Sequence, residues 1–480
     1  MSSFDHVRRA GVFMMLLLIS PSVAGQSQVT PSSDEAAEVT KTGDISGRVV
    51  NENGQPLSNV SVFARGFGGA GQGRNGSTDR DGTFRLSGLD RVAYSLSAQA
   101  PGYTPLPRDP DSTQPTYYRV GDSVTMVMIK GGVITGSVTT SDGEPLVGLV
   151  VRAQMLRDGD GRPSRYGGIF RERTTDDRGV YRIYGLPSGT YLVMAGGGGR
   201  NYWGSDTNPY EDDAPTYSPS SARDTAAEIN VRTGEETANV DIRYRGDPGY
   251  RVSGTVSGSQ AAEPQGYNLI LTSTLDGGSQ WSSSSYQPAG NPGFVIYGVA
   301  DGDYDVTATS FSSNGESSIS EPKRIKVRGA DVGGVELTTK PLGSVAGRLI
   351  LEASKAIECK GKRRPMFTET LVSAWHNEKD KAKDQPQYVW SFGGPRLPDE
   401  SGNFSLRNLA AGQYHFIVRF FAKYWYLRSI SWQPPASAAG ESPGANRSVD
   451  GARNWLTVKP GDRLSGLAIT LAEGAASLRV

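Results

Sequence analysis

The chain has 480 residues, too many for one ordinary core, and at roughly 100 to 150 residues per domain it predicts several. Its 61 Gly and 28 Pro favour short strands joined by turns over long helices. Fifty Lys plus Arg balance fifty Asp plus Glu, which excludes a basic field for nucleic acid, and the single cysteine, Cys359, excludes an intramolecular disulfide and a cysteine-rich zinc site.

Residues 1–25 have the layout of a signal peptide. His6, Arg8 and Arg9 precede an apolar run from Ala10 to Ile19, and the small residues Ser22, Ala24 and Gly25 follow as a cleavage region. The run is about half the length a bilayer-spanning helix needs, and no later stretch is long enough, so no transmembrane segment is expected after signal removal. Residues 26–43, rich in Ser, Thr, Gln, Ala and Glu, suit a disordered leader.

The first module, 44–130, opens on a strand in which Ile45 and Val49 flank Gly47. Asn53 and Gly54 supply a tight turn, and after Pro56 and Leu57 a second strand alternates Val60, Val62 and Ala64. A second turn at Asp79 and Gly82 leads into Phe84 and Leu86, Gly88 and Leu89 turn again, and Tyr94 starts another strand. The module closes over Val120 to Ile129.

The second module, 131–246, repeats this order: Ile134, Gly136 and Val138; Asp142, Gly143, Pro145 and Leu146; Asp176, Gly179, Tyr181 and Ile183; Gly185 and Leu186; then Gly189 and Tyr191. The third, 247–341, keeps Val252, Gly254 and Val256, Phe294 and Ile296, Gly298 and Val299, and Gly302 and Tyr304. It has Asn291 and Pro292 where the acidic turn belongs. The fourth, 342–473, carries Val345, Gly347 and Leu349, a long insertion, Asp399, Gly402, Phe404 and Leu406, Asn408 and Leu409, and Gly412 and Tyr414. The central glycines recur about 89, 118 and 93 residues apart, the length of one small domain each. Residues 474–480 read as the start of a truncated fifth repeat.

The glycine-centred opening, Pro-Leu turn, acidic turn before an aromatic strand and Gly-x-Tyr step together resemble the carboxypeptidase regulatory-like domains of bacterial exported proteins. The resemblance implies an all-β fold of tandem seven-stranded Greek-key β-sandwiches, transthyretin-like and carbohydrate-binding-like. It implies a fold more firmly than a role. In such proteins an accompanying peptidase or receptor does the chemistry.

No catalytic set is legible. The histidines are His6, His376 and His415, and neither of the last two has Glu three residues on, as a zinc peptidase pair would. No nucleophile elbow stands out, and His415 reads as a strand-face residue. Asp79, Asp81, Asp158, Asp160 and Asp176 place hard oxygen ligands in tight turns where calcium is conceivable, although turn capping is the simpler account. Candidate ligand-binding aromatics in the insertions are Tyr202, Trp203, Trp281, Tyr286, Tyr388, Trp390, Trp425 and Trp432, with edge cover of their own modules as the alternative.

The expectation is therefore a non-catalytic, secreted, periplasmic or cell-surface binding and spacer protein, with no cofactor and no nucleic acid. Its partner would be a polysaccharide or a surface protein, through carbohydrate binding or cell-surface adhesion. The alternative is an ectodomain remnant of a larger exported peptidase or outer-membrane receptor. An enzymatic role would require a polar cleft where the insertions at 197–222 and 354–395 converge.

Overall fold

Thr83 to Asp90 alternates exposed and buried side chains along its length, and that period of two makes it a strand with one face on a core. The computed structural model describes residues 42–474 apart from 107–116, 165–169, 198–209, 211, 259–263, 276–279, 289, 360, 378–393 and 433–448. The expected targeting segment, all but the end of the expected leader and residues 475–480 lie outside the described residues. Strand structure dominates, and among the described residues no helix is long and apolar enough to cross a membrane.

Among the described residues the first module has seven strands: β1 (Thr42–Val50), β2 (Ser61–Gly66), β3 (Arg74–Ser77), β4 (Thr83–Asp90), β5 (Tyr94–Gln99), β6 (Tyr103–Pro105) and β7 (Ser123–Lys130). They form two facing sheets, ordered β4-β1-β7-β6 and β3-β2-β5, around Ile45, Val49, Val62, Phe84, Leu86 and Tyr94. Strand β1 begins at Thr42, two residues inside the expected leader.

The later modules keep this plan and add to it. The second contains β8 (Gly132–Thr139), β9 (Val150–Asp158), β10 (Phe170–Thr174), β11 (Val180–Leu186), β12 (Gly189–Ala195), β13 (Thr216–Tyr217), β14 (Ile229–Val231), β15 (Glu236–Thr237) and β16 (Ile242–Arg243). The third contains β17 (Tyr250–Gly258), β18 (Pro264–Ser273), β19 (Gln280–Pro288), β20 (Gly293–Val299), β21 (Gly302–Ser312), β22 (Ser317–Ser320), β23 (Lys323–Val327) and β24 (Val332–Pro341). The fourth contains β25 (Gly343–Glu352), β26 (Leu371–His376), β27 (Asn403–Leu409), β28 (Gly412–Arg419), β29 (Trp425–Trp432), β30 (Val449–Asp450), β31 (Leu456–Val458) and β32 (Arg463–Glu473).

Among the described residues the first module shows seven strands, and the others exceed that number. The common addition is a short strand antiparallel to the Tyr-bearing strand: β14 on β12, β23 on β21 and β31 on β28. In the first module an isolated bridge, Tyr94 to Tyr118, stands there among the described residues. In the third, β22 pairs with both β21 and β24, so its two sheets merge into one ladder.

In every module the opening strand is flanked by an antiparallel strand on one side and the closing strand, parallel, on the other. The central glycines are explained by that closing strand. A Cβ on Gly47, Gly136, Gly254 or Gly347 would stand 2.0, 2.1, 1.8 or 2.4 Å from the carbonyl oxygen of Val124, Val240, Val335 or Leu467. Real Cβ atoms do not approach backbone that closely, so only glycine fits. The room on the antiparallel side is taken by an aromatic partner directly opposite, namely Phe84, Tyr181, Phe294 and Phe404 in turn.

The modules follow one another almost without linkers, β8 starting two residues after β7 ends and β25 two residues after β24 ends. Gly131 N–H donates to Gly102 O at 2.9 Å between the first and second modules, and Gly249 N–H to Asp212 O at 3.0 Å between the second and third. Between the third and fourth, Asn408 takes positive φ (60°) where the other modules have Gly88, Gly185 and Gly298. Its side chain accepts from Ser317 N–H at 2.9 Å and donates to Gly315 O at 3.0 Å, with the Arg463–Glu316 pair alongside at 3.0 Å.

The first and fourth modules also touch. Thr368 Oγ1 donates to Arg91 O at 2.7 Å, Ala93 N–H to Thr368 O at 3.2 Å, and Arg396 to Gly68 O at 3.1 Å. Arg119 reaches Glu369 at 3.7 Å, donates to Phe421 O at 3.3 Å and lies 4.7 Å over the Phe421 ring, which Tyr117 also meets, at 4.6 Å between centroids. The string therefore turns back so that its first and last modules meet.

Candidate functional site

Strand β12 is buried on both faces from Tyr191 to Ala195. One face lies on the module core; on the other Leu192 and Met194 pack with Tyr217, which arrives on β13 from the insertion that follows β12. Met194 and Tyr217 form one wall of a crevice of about 350 Å³, a volume in the range of small-ligand sites, and the third module supplies the opposite wall.

Arg152 sits on β9, between core residues Val151 and Ala153 but facing the other way, and is 5% exposed. Its Nη1 donates to Gly196 O at 3.0 Å and Gly197 O at 2.7 Å, and its Nε faces Glu172 at 3.3 Å. Burial pulls the guanidinium below its ordinary pKa while Glu172 opposes the shift. A buried cation that satisfies two carbonyls and one carboxylate fixes the loop it holds, so Arg152 positions the Gly196 turn.

On the facing wall Tyr304 donates its hydroxyl to Ala300 O at 2.9 Å, and burial raises its phenol pKa far above the usual value. Asp303 pairs with Arg328 at 3.0 Å, and Asp301 accepts from Gly329 N–H at 2.6 Å. Leu271 and Leu275 complete an apolar patch, Leu275 being 58% exposed. Three guanidinium groups (Arg152, Arg223, Arg328) meet three carboxylates (Asp224, Asp301, Asp303), so the charges lining the crevice balance. No described lining residue is a histidine or cysteine. The arrangement offers donors, acceptors and an apolar patch, which suits binding; the hydroxyl and carboxylates on the facing wall are held by partners.

The tyrosine hydroxyl bond is part of the framework. Tyr191 donates to Pro187 O and Tyr414 to Ala410 O, both at 2.8 Å, each four residues back as in Tyr304. The Gly-x-Tyr step is thus a corner brace.

The acidic turns are equally local. Asp79 Oδ1 accepts from Asp81 N–H and Thr83 N–H, both at 2.9 Å; Asp176 Oδ1 accepts from Arg178 at 3.0 Å and Val180 at 2.8 Å; Asp399 does the same with Ser401 and Asn403. Asp158 Oδ1 accepts from Asp160 and Arg162 N–H, and Asp160 pairs with Arg162 at 2.6 Å. Backbone donors hold the Asp79, Asp176 and Asp399 carboxyls below the ordinary carboxylate pKa. Among the described residues no group of three or more His, Cys, Asp or Glu is placed to hold a metal ion. These geometries are those of side chains capping their own turns.

The described candidate aromatics lie on strands. Trp425 is 4% exposed, inside the fourth core beside Ile430, and is no loop residue. Trp432 lies half-buried on the same strand, its Nε1–H donating to Ser465 O at 3.2 Å. Trp281 and Tyr286 lie on β19, opposite Thr272 and Asn268 of β18, in a strand and not in a loop. Tyr202, Trp203, Tyr388 and Trp390 fall outside the described residues. The crevice residues Arg152, Asp301 and Asp303 were not singled out from sequence, although a charged residue inside the apolar run Val150 to Met155 was a visible signal.

Residues 44–117 match the family model of the carboxypeptidase regulatory-like domain. The first module is a carboxypeptidase regulatory-like domain. The three later modules repeat the architecture of this regulatory-like domain, its glycine-aromatic pair and, in the second and fourth, its acidic turn. No curated protein matches the chain. Among solved structures, a minor pilin of Streptococcus agalactiae aligns at 12% identity over 42% of this chain and 96% of its own, with a TM-score of 0.21. A shaft pilin of Lactobacillus rhamnosus GG aligns at 12% identity over 42% and 98%, with a TM-score of 0.19. The Bacillus anthracis TIE protein aligns at 10% identity over 93% and 75%, with a TM-score of 0.16. At such TM-scores the chains do not superpose as wholes.

Proposed function

We propose that this chain is an exported, non-catalytic binding and spacing protein, with its ligand site in the crevice between the second and third modules and a polysaccharide or surface protein as ligand. One observation carries the reading. The framework's recurring polar groups are tied to their own turns and corners, whereas the crevice is built by the insertion after β12 and leaves apolar surface, Leu275 above all, facing open space. The regulatory-like domain of the first module supports a non-catalytic role.

A glycan array and a surface-protein pulldown with residues 26–480 test the reading. Binding that weakens roughly tenfold in Leu275→Arg, which fills and charges the crevice, is the expected outcome. Binding indifferent to Leu275→Arg moves the site elsewhere, and no ligand in either assay leaves the spacer role alone.

A further inference from the structure

The outer face of an antiparallel sheet is ordinarily polar, because water lies against it. The sheet β26-β28-β31 of the fourth module departs from this. Trp375 stands directly opposite His415 across β26 and β28, and Trp455 precedes Leu456, which pairs with Tyr414. The three rings form a row across the strands. Trp375 and His415 are 6.4 Å apart and tilted by 35°, and Trp455 stands at 80° to His415 with 4.7 Å between centroids. Trp455 is 42% exposed.

The other modules serve as internal controls, since the residue after the framework tyrosine and its cross-strand partner occupy the same place in each. In the first module they are Ser95 and Arg65, and in the third Asp305 and Thr272, with Asp305 further paired to Arg324 at 2.7 Å. In the second, Leu192 and Gln154 are buried beneath that module's insertion. The sandwich therefore does not require aromatics there.

We propose that Trp375, His415 and Trp455 form a second binding surface, separate from the crevice, for the pyranose rings of a neutral polysaccharide. The row contains no carboxylate, ammonium or guanidinium group; burial lowers the His415 pKa, which favours the neutral ring, and its Nδ1 has no hydrogen-bond partner among the described residues. The Asn377 and Gln413 amides, 3.2 Å apart, lie beside the row and offer hydroxyl-directed donors and acceptors. Uncharged ring faces bordered by amides complement a ligand whose C–H faces are apolar and whose rim is hydroxylated.

Affinity electrophoresis of residues 26–480 through gels containing a cellulose ether, laminarin or galactomannan, with alginate as the anionic comparison, tests this. At least one neutral polymer should retard the protein. Retardation should weaken roughly tenfold in Trp455→Ala and in Trp375→Ala and persist in Trp455→Tyr, and the same loss should follow when Trp455→Ala is introduced beside Leu275→Arg, which separates this surface from the crevice. Near-UV circular dichroism establishes that each variant is folded. Retardation by no neutral polymer, retardation by alginate alone, or equal retardation of a folded Trp455→Ala would each overturn the proposal.

Discussion

Gly254 shows how one residue fixes a strand arrangement. Its missing Cβ is the space the Val335 carbonyl occupies, and Phe294 covers it from the opposite strand. Gly254→Ala must displace the closing strand, and the midpoint of the third module's unfolding in urea should fall by the equivalent of about 2–3 kcal/mol. The acidic turns make a pH prediction. Asp79, Asp176 and Asp399 have folded pKa values below their ordinary 3.8, so their contribution is complete above the ordinary value and is lost as pH falls through the folded values. Acid unfolding followed by circular dichroism should become shallower in Asp399→Asn, whose amide oxygen still accepts the turn's N–H groups but does not titrate. The pattern of these residues was legible in the sequence, since turn chemistry is local. The reason for the glycine was not, because Val335 lies far along the chain from Gly254.

Strands were easier to read than their edges. Alternation located the opening, aromatic and tyrosine strands of all four modules, while the short additions β14, β23 and β31 carry two or three alternating positions each, too few to mark. Trp425 was expected in an insertion, yet it points inward, and its neighbour Tyr426 outward, from one strand. Trp375 and Trp455 passed unnoticed because 80 residues separate members of one surface row. Asn408 joins two elements directly: Asn408→Gly preserves its positive φ but removes both bonds to the β21–β22 hairpin. Amide exchange at Ser317 should accelerate in that variant, with exchange in β27 unchanged.

For the molecule as a whole, the contact between first and fourth modules had no sequence signal, since its members are some of the most distant residues in the chain. Glu369 is almost wholly buried there and is shared by Arg119 and Arg363, the latter at 2.8 Å. Arg119→Glu sets a like charge against it, at a cost of about 3 kcal/mol. Small-angle scattering should then give a larger radius of gyration, while strand content by circular dichroism stays constant; an unchanged radius would mean that the other contacts suffice. The crevice was likewise illegible, being assembled from insertion and framework residues of two modules.

The parallel pairing of opening and closing strands has a mechanical corollary. The chain enters each module at the start of the opening strand and leaves at the end of the closing one, so tension along the string slides these neighbours lengthwise. The cross-strand bonds of the pair then share the load and must yield together, whereas a hairpin pulled from its open end loses its bonds singly. Under pulling, the contact between the end modules should part first and release slack, after which each sandwich resists as a shear clamp.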